Sequence, residues 1–318
     1  MSSSPRILVL AGGDKPPLAL LGTLPHAVAH SIADLAAAPR DAAVLLHWSG
    51  PRELLRAAFL AQPGVRWVHS RAAGLDTVLF PELVASPIPL SNGSGVFSQS
   101  LGEFALAMIL YFAKDIPRML RNQAARRWEQ FEVAEIAGQT VGIVGYGDIG
   151  RAVARRVHAM GMCVLALKRH APADGDPLVE RFFRPEELRD LLARCDYVIA
   201  SAPLTPETRH MLSDAAFDAM KPGAIVINVG RGPVIDQAAL LRALRAKKIR
   251  AAALDVFEQE PIPAGDPIWG FENVFISPHT ADRTCTWLDE AMRFFLSQYE
   301  RFRSGQPLAN VVDKHLGY

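Results

Sequence analysis

Three polar residues in the second half of the chain have side chains that suit proton transfer and anion binding. Each follows a short apolar run: Arg231 in INVGRGPVID, Glu260 in ALDVFEQEP and His279 in FISPHTA. Histidine titrates near neutral pH, a neighbouring carboxylate favours its imidazolium form, and arginine can hold a carboxylate through two N–H groups. Singly, the arginine could be a surface cation and the histidine a structural turn residue. Their appearance at three successive strand ends favours one acid/base site for a substrate with a carboxylate.

A glycine-rich turn lies upstream, in TVGIVGYGDIGRAVARRVHAMG. A buried strand pattern leads into Gly145, Gly147 and Gly150, and a helical pattern follows directly, which is the context that a dinucleotide-binding turn requires. The first glycine permits the tight turn, the second lets the backbone approach a pyrophosphate, and the third lets strand and helix pack closely. A glycine-rich turn without a ligand is the alternative. With a nicotinamide dinucleotide bound here, the three polar residues would support hydride transfer to or from a hydroxyl-bearing carbon.

The end of the next strand bears on the choice between NAD and NADP. A carboxylate there would bond the adenosine ribose, whereas a cation would accept a 2′-phosphate. The strand CVLAL ends in Lys168, Arg169 and His170 without Asp or Glu, and Lys168 lies 18 positions after Gly150, close to the spacing of the discriminating acid. We therefore expect NADP. The alternative is a pair of solvated cations, with NAD bound at some loss of affinity.

The composition excludes several other classes of protein. Over 318 residues, 34 Lys plus Arg balance 33 Asp plus Glu, which argues against nucleic-acid binding by counterion release and against a polybasic membrane-surface protein. Cys163, Cys195 and Cys285 form no CxxC pair and no zinc-ligand spacing, so neither a disulfide framework nor a metal site is expected. The start, MSSSPRILVLAGG, has too few apolar residues for a signal peptide or a membrane span, so we expect a cytoplasmic protein.

Apolar runs bounded by Gly or Pro alternate with helical patterns, which is typical of parallel strands with helical crossovers, so the predicted fold class is α/β. Strands are predicted at 7–10, 43–47, 65–69, 88–91, 141–144, 163–167, 197–200, 224–228, 251–254 and 274–276. Helices are predicted at 26–38, 51–60 and 287–303, together with a long helix at 98–126 that is kinked at Pro117. The length predicts two domains, and the second strand series has the six strands of a dinucleotide-binding sheet.

Across nearly its whole length the sequence resembles the D-isomer-specific 2-hydroxyacid dehydrogenase family. The similarity rests on GYGDIG (145–150), PLTPETRHML (203–212), NVGRGPVID (228–236), ALDVFEQEP (253–261) and SPHTA (277–281). The resemblance implies Arg231 as carboxylate anchor, Glu260 as its partner residue and His279 as acid/base. Besides the three glycines and the Lys168-Arg169 pair, it implies cofactor contacts at Asp148, Ile149, Ala202, Val229, Gly230, Arg231 and Asp255.

The resemblance further implies two Rossmann-like domains with parallel sheets. A flavodoxin-like substrate-binding domain is expected to combine 1–98 with 283–318, and a dinucleotide-binding domain to span 99–282. A homodimer built on the cofactor domain is implied, with the long helix after Ser98 as a main contact. In HSRAAGLD the resemblance implies that backbone N–H groups grip the substrate carboxylate, with an ordinary strand-to-helix turn as the alternative. The residues concerned are Arg71, Ala72, Ala73 and Gly74.

These observations predict an oxidoreductase that transfers a hydride between NADPH, or NADH, and a small 2-keto or 2-hydroxy acid. Glyoxylate and hydroxypyruvate are the expected substrates. Many NAD-using members of the family carry Asp at the place of Lys168, so its absence favours NADP. Related formate dehydrogenases typically carry Gln at the place of Glu260, so the carboxylate here favours a 2-hydroxy or 2-keto acid as substrate. A phosphoglycerate dehydrogenase-like enzyme and a dinucleotide-sensing, corepressor-like binding protein are the alternatives. Neither a nucleic acid nor a membrane is expected as a partner.

Overall fold

The computed structural model describes residues 4–317, which form two compact units. The first unit comprises Met1–Phe97 and Thr284–Tyr318, and the second unit, Ser98–Arg283, is continuous in sequence. The chain therefore leaves the first unit after Phe97 and returns to it at Thr284, so that C-terminal residues complete the unit that N-terminal residues begin.

Strands and helices alternate along most of the described chain. The strands are β1 (Arg6–Ala11), β2 (His26–Ala29), β3 (Ala42–Ser49), β4 (Trp67–Ser70), β5 (Leu90–Asn92), β6 (Thr140–Val144), β7 (Cys163–Leu167), β8 (Arg181–Phe183), β9 (Tyr197–Ala200), β10 (Ala224–Asn228), β11 (Ile249–Leu254) and β12 (Val274–Ile276). The α-helices are α1 (Arg52–Ala61), α2 (Pro81–Ala85), α3 (Ser98–Ala113), α4 (Ile116–Ala124), α5 (Asp148–Ala159), α6 (Leu188–Leu192), α7 (Asp214–Ala219), α8 (Gln237–Arg245) and α9 (Trp287–Arg303).

The sheet of the first unit has five parallel strands in the order β2-β1-β3-β4-β5, which is the flavodoxin-like order. Strand β3 is buried along nearly its whole length, as expected for a parallel strand covered on both faces. Helix α9 packs on one of these faces. The ring of Trp67 stacks on Phe295 with 5.4 Å between centroids, and Tyr299 Oη donates a hydrogen bond to Pro5 O at 2.6 Å.

The sheet of the second unit has seven parallel strands in the order β12-β11-β10-β9-β6-β7-β8. The strand order reverses between β6 and β9, the place where open sheets of this kind bind ligands at their carboxyl edge. Helix α3 packs on α5, and the two backbones are so close that a Cβ at Gly102 would lie 3.0 Å from the backbone of Ala152. Two units with parallel sheets confirm the predicted fold class.

The helix predicted at 26–38 is wrong. His26–Ala29 forms β2 and pairs with β1, and only Ala33–Ala36 makes a short 3-10 turn. The alanine-rich sequence favours a helix locally, but pairing with β1 satisfies the backbone of this edge strand and overrides that preference.

The single kinked helix predicted at 98–126 is two helices. Helix α3 ends at Ala113 and α4 begins at Ile116, with Asp115 between them in a left-handed conformation at φ 49°. Pro117 lies in the first turn of α4, where its missing N–H removes no helical hydrogen bond. The second sheet also has a strand that the sequence pattern did not indicate, β8, whose three residues are too few to show a periodicity.

Within the described chain, no helix is both long and apolar enough to cross a membrane. The same residues contain no group of three or more His, Cys, Asp or Glu side chains arranged to hold a metal ion. Cys163 is half-buried, Cys195 is buried and Cys285 is exposed, and no two of them are joined in a disulfide.

Two buried histidines make the stability of the first unit depend on pH. Burial lowers the pKa of His69 to about 3 and that of His47 to about 4, from an ordinary value of 6.5. At pH 5 both rings are therefore neutral in the folded chain, whereas the unfolded chain protonates them. Because the unfolded state then binds more protons, the free energy of unfolding falls as the pH drops below about 6.5.

Lowering the pH from 7.5 to 5 is expected to reduce the free energy of unfolding by about 2 kcal/mol for each of the two histidines. His69→Asn removes one titrating ring and is expected to shrink that loss by about 2 kcal/mol. Urea unfolding followed by tryptophan fluorescence at the two pH values measures both. His315→Asn, at an exposed position of the same unit, is the control, and equal pH dependence in all three proteins would contradict the prediction.

Candidate active site

Three turns at the carboxyl edge of the second sheet carry the polar residues predicted to form the acid/base site. Arg231 follows β10, Glu260 lies in the segment after β11, and His279 follows β12. Because β10, β11 and β12 are neighbours in a parallel sheet, their carboxyl ends lie side by side.

A buried side chain at the end of β10 fixes the turn that carries Arg231. Asn228, the last residue of β10, accepts a hydrogen bond from Gly230 N at 3.0 Å and donates one to Arg231 O at 3.1 Å. A Cβ at Gly232 would lie 1.9 Å from the carbonyl group of Phe257, so the turn after β10 fits against the segment after β11 only with glycine there. This close approach places the Arg231 turn directly on the segment that leads to Glu260.

Glu260 and His279 form a hydrogen-bonded ion pair, with 2.7 Å between Glu260 Oε2 and His279 Nδ1. The other carboxylate oxygen, Oε1, accepts a hydrogen bond from Phe257 N at 2.8 Å. Since a carboxylate only accepts hydrogen bonds, Nδ1 carries the ring proton, and Nε2 is the nitrogen left for a substrate.

The two partners shift each other's titration in opposite directions. The hydrogen bond to Glu260 raises the pKa of His279 against burial and the positive charge of Arg231, both of which lower it. Burial raises the pKa of Glu260, but the hydrogen bonds from His279 and Phe257 N outweigh it, and the net pKa is lowered. The pair therefore favours a carboxylate beside an imidazolium.

Asp255, which directly follows β11, fixes the turn that carries His279. Its buried carboxylate oxygen Oδ1 accepts hydrogen bonds from Ser277 Oγ at 2.6 Å, Thr280 N at 2.9 Å and Ala281 N at 3.1 Å. Its carbonyl oxygen accepts from His279 N at 2.9 Å, and His279 itself has a left-handed backbone with φ 52°. A non-glycine residue in that conformation is held there by its surroundings, and here the four hydrogen bonds to Asp255 hold it.

The glycine-rich turn joins β6 to α5 next to the point where the strand order reverses. Gly145 has φ +98°, and a Cβ on it would lie 2.5 Å from the backbone of Ala202. A Cβ on Gly150 would lie 2.6 Å from Gly145 O, whereas one on Gly147 would meet no atom within 4 Å. Gly147 caps α5 without a side-chain hydrogen bond, so the turn offers open space and helix N–H groups where a pyrophosphate would lie.

The predicted NADP-selecting cations lie at the end of β7, and a carboxylate missed by the sequence analysis lies near them. Lys168 Nζ donates to Tyr146 O at 2.9 Å, so it is drawn toward the glycine-rich turn. Asp176, from the loop after β7, accepts from Tyr146 Oη at 3.0 Å and from Arg151 Nε at 2.7 Å. A lone acid in a loop belongs to no motif, so no sequence signal pointed to it.

Other residues with an expected cofactor contact lie around the same edge of the second sheet. Asp148 and Ile149 open helix α5, and Ala202 follows β9 and touches both Gly145 and Gly230. Val229 is buried and donates from its N–H to Ala200 O at 3.0 Å. The motif spacing thus brings this set together in one unit.

The substrate-loop residues lie in the first unit, immediately after β4. The carbonyl of Ala72 accepts from Gly93 N at 3.3 Å, and the carbonyl of Ala73 accepts from Asn92 Nδ2 at 2.7 Å. Within residues 4–317 the N–H groups of Ala72, Ala73 and Gly74 donate to no protein acceptor. We call these three N–H groups the amide cradle, because bound carbonyls and available N–H groups suit an anion.

Known proteins are similar to this chain in sequence and in fold. The profile "D-isomer specific 2-hydroxyacid dehydrogenase, NAD binding domain" matches residues 106–281. A glyoxylate reductase of Korarchaeum cryptofilum is 33% identical over 81% of this chain and 79% of its own length. A glyoxylate/hydroxypyruvate reductase B of Enterobacter sp. is 36% identical over 80% and 79%. A D-3-phosphoglycerate dehydrogenase of Methanocaldococcus jannaschii is 31% identical over 86% of this chain but 52% of its own length.

A solved structure has the same fold as this chain. A D-isomer specific 2-hydroxyacid dehydrogenase of Xanthobacter autotrophicus Py2, in complex with NADPH and MES, superposes with a TM-score of 0.86 at 31% identity, over 99% of this chain and all of that one. The fold and the site thus define a two-domain α/β oxidoreductase that uses NAD(P). The chain belongs to the D-isomer specific 2-hydroxyacid dehydrogenase family.

Two glycines of the cofactor turn are expected to respond differently to the same substitution. Gly145→Ala should lower the free energy of unfolding by about 2 kcal/mol or more, because its φ is unfavourable for alanine and its Cβ would overlap Ala202. Gly147→Ala should leave stability within about 0.5 kcal/mol but weaken NADPH binding at least tenfold, because the methyl group fills the space for the pyrophosphate. Thermal unfolding and fluorescence titration with NADPH measure the two effects.

Gly265→Ala is the matched control for both variants. A Cβ at Gly265 also meets no atom within 4 Å, and this position is distant in sequence from the turn. It is expected to change neither stability nor NADPH binding. Unaltered NADPH affinity in Gly147→Ala would contradict the location of the pyrophosphate.

Proposed function

We propose that this protein is an NADPH-preferring reductase of small 2-keto acids, with glyoxylate or hydroxypyruvate as substrate. The observation that carries the proposal is the pairing of Glu260 with His279 Nδ1 at 2.7 Å, at the same sheet edge as the glycine-rich turn. An imidazolium held by a carboxylate is the proton donor that reduction of a carbonyl needs.

In this proposal each residue has a defined part in the reaction. A nicotinamide dinucleotide held by the glycine-rich turn and the cations after β7 would supply the hydride for the keto carbon. His279 Nε2 donates a proton to the carbonyl oxygen as the hydride arrives, which gives a hydroxyl group and a neutral imidazole. Glu260 keeps Nδ1 protonated and stabilises the imidazolium before the transfer.

Arg231 and the amide cradle are proposed to bind the substrate carboxylate. The guanidinium offers two parallel N–H donors and a fixed charge, and its field also polarises the adjacent keto group. The cradle residues Ala72, Ala73 and Gly74 offer N–H groups, and the carbonyls of Ala72 and Ala73 are bonded elsewhere. Backbone donors bind an anion without adding a net charge to the site.

The NADPH preference is supported by the charges at the end of β7. Lys168 and Arg169 stand where a ribose-binding acid would stand in an NAD-specific site. Asp176, the nearby carboxylate, is engaged by Tyr146 and Arg151 rather than lying at the strand end. The Xanthobacter relative contains NADPH, which supports the same preference here.

Two alternatives remain as competing functions. A phosphoglycerate dehydrogenase-like activity is favoured by the Methanocaldococcus relative, and it requires a substrate with a phosphate in addition to its carboxylate. A dinucleotide-sensing binding protein would keep nucleotide affinity without turnover. A sensing protein can retain all three polar residues, so turnover of a keto acid is what distinguishes the enzyme from it.

We also propose that the chain forms a homodimer through its second unit and works in the cytoplasm. Helix α4 buries none of its side chains, and Met119 and Leu120 on it are 40% and 53% exposed. In the segment that follows, Trp128 is 95% exposed. Exposed apolar side chains on one helix and in the segment after it support a protein interface. Three cysteines far apart in the sequence, without a disulfide framework, support a reducing compartment.

The proposed function is tested by steady-state reduction of glyoxylate, hydroxypyruvate, pyruvate and 3-phosphohydroxypyruvate with NADPH and with NADH. The expected result is a kcat/KM at least tenfold higher with NADPH, and higher for glyoxylate or hydroxypyruvate than for the phosphorylated acid. Arg169→Ala should remove most of the NADPH preference, because a cation on a 2′-phosphate contributes about 1.5–3 kcal/mol.

The outcomes separate the three functions. A tenfold advantage for NADH would overturn the cofactor proposal, and a preference for the phosphorylated acid would favour phosphoglycerate chemistry. Nucleotide binding without turnover of any keto acid would favour the sensing protein. Arg181→Ala, which removes another exposed arginine of the second unit, is the control and should preserve the cofactor ratio.

Variants of the acid/base pair and of the anchor are expected to give different kinetic patterns. His279→Ala should lower kcat by about 10²–10⁴ and leave NADPH affinity unchanged, because a proton donor is lost. Arg231→Ala should raise KM for the keto acid about 30-fold or more and also lower kcat, because a charged hydrogen-bond donor is lost. Glu260→Gln should shift the pH profile.

The direction of that shift follows from the pair. Reduction needs protonated His279, so the rate falls as the pH rises through the pKa of His279, which Glu260 raises. In Glu260→Gln the fall should therefore begin at lower pH, and NMR titration of His279 should show the same decrease in its pKa. A pH profile that is the same in both proteins would show that His279 is not the proton donor.

A further inference from the structure

Arg71, the residue before the amide cradle, has a side chain held by contacts from three separate segments of the first unit. Its guanidinium donates from Nη2 to Asp14 Oδ2 at 2.7 Å. Its Cζ lies 5.2 Å from the ring of Trp48, at the end of β3, and 4.7 Å from that of Trp287, the first residue of α9. The side chain is 12% exposed, so these contacts are largely shielded from water.

The buried indole of Trp48 contacts Arg71 but, within the described chain, makes no hydrogen bond through its own ring nitrogen. Its indole is 1% exposed, and its Nε1–H has no hydrogen-bond acceptor among residues 4–317. Trp67 on the adjacent strand is equally buried but donates from Nε1 to Ser91 Oγ at 2.9 Å. A buried N–H without an acceptor is destabilising. The chain has one at the indole that contacts Arg71, whereas the indole of Trp67 one strand away has an acceptor.

The backbone of Arg71 is equally constrained. Its N–H donates to His47 O at 3.0 Å, and a Cβ on Gly93 would lie 2.1 Å from its carbonyl oxygen. The carbonyls of Ala72 and Ala73, which follow, are hydrogen-bonded as well. A side chain that contacts both indoles and is paired with Asp14 opposes rotation of the peptides at the start of the turn, because cation–aromatic contacts are attractive.

We propose that Arg71 is a positioning residue for substrate binding. By locking its side chain onto Asp14, Trp48 and Trp287, it holds the N–H groups of the amide cradle in the arrangement that receives the substrate carboxylate. The proposal rests on the proposed function, because it takes the cradle to be the carboxylate site. It assigns Arg71 no contact with the substrate.

The test compares Arg71→Gln with a matched control, Arg66→Gln. Arg66 also precedes the cradle in sequence and also lies over an aromatic ring of α9, with Cζ 5.1 Å from the centroid of Phe302, but it is exposed. Arg71→Gln is expected to raise KM about tenfold for glyoxylate, pyruvate and hydroxypyruvate alike, since the carboxylate is common to all three. NADPH affinity and the pH dependence of kcat should stay as in the wild type. Arg66→Gln should change none of these quantities by more than about twofold.

Two further variants guard against a folding defect. Asp14→Asn keeps a hydrogen-bond acceptor but removes its charge, and Arg71→Lys keeps the charge but loses the planar guanidinium that contacts both indoles. Both are expected to raise the three KM values by a common, smaller factor. Hydrogen exchange at the amides of Arg71 and Gly93, which donate to His47 O and Ala72 O, supplies a readout that needs no activity. Exchange there should accelerate in Arg71→Gln and not in Arg66→Gln.

The outcomes separate the two proposals. A rise in KM that differs between the three keto acids would mean that Arg71 touches the rest of the substrate, and would overturn a positioning role. Unchanged KM values and unchanged exchange would also overturn it. If the wild-type protein reduces none of these acids, the proposed function fails, and Arg71 as a determinant of substrate KM fails with it. The exchange measurement then reports only whether Arg71 orders the turn.

Discussion

The hydrogen bond between Glu260 and His279 can form only because the parallel sheet of the second unit places their two segments side by side. Its two partners lie in segments that follow adjacent parallel strands, so the register between β11 and β12 decides whether they meet. Asp255 at the end of β11 then fixes the turn after β12 through four hydrogen bonds, and Gly232 lets the Arg231 turn pack against Phe257. Without any one of these contacts, Arg231, Glu260 and His279 would still be in the sequence, but their side chains would no longer be held at one site.

Sequence reasoning identified the parts of the molecule whose physics is local. Cys163–Leu167, Tyr197–Ala200, Ala224–Asn228 and Trp287–Arg303 have the bounds expected from apolar periodicity and from Gly or Pro punctuation. His26–Ala29 was misassigned because its composition favours a helix, and only pairing with a distant strand makes it extended. Pro117 was assigned to the wrong position within its helix, since a first-turn proline and a mid-helix proline look alike in sequence.

The candidate site divides along the same line. Arg231, Glu260 and His279 were predicted because the chemistry requires those residue types near strand ends. Asp176 and the structural part of Asp255 act through hydrogen bonds between segments more than 20 residues apart in the chain. No spacing rule encodes such contacts, so only coordinates reveal them.

In the proposed function, both units would bind an anion through peptide N–H groups. The glycine-rich turn and the amide cradle each present such groups, and in the cradle the carbonyls of Ala72 and Ala73 are already bonded. Under that proposal, backbone donors would add to the few cations at the site, so a chain with a net charge of +1 would bind two anionic ligands without an extended basic surface.

The division of the first unit into two stretches of sequence has a consequence for synthesis on the ribosome. The second unit is continuous and can fold as soon as its last residue leaves the exit tunnel. The first unit emerges earlier but lacks α9, whose Phe295 and Tyr299 cover the sheet face that carries Trp67. Until residue 303 is made, that sheet face has no helix to cover it, so the part of the first unit before Phe97 exposes apolar side chains of the kind that chaperones bind.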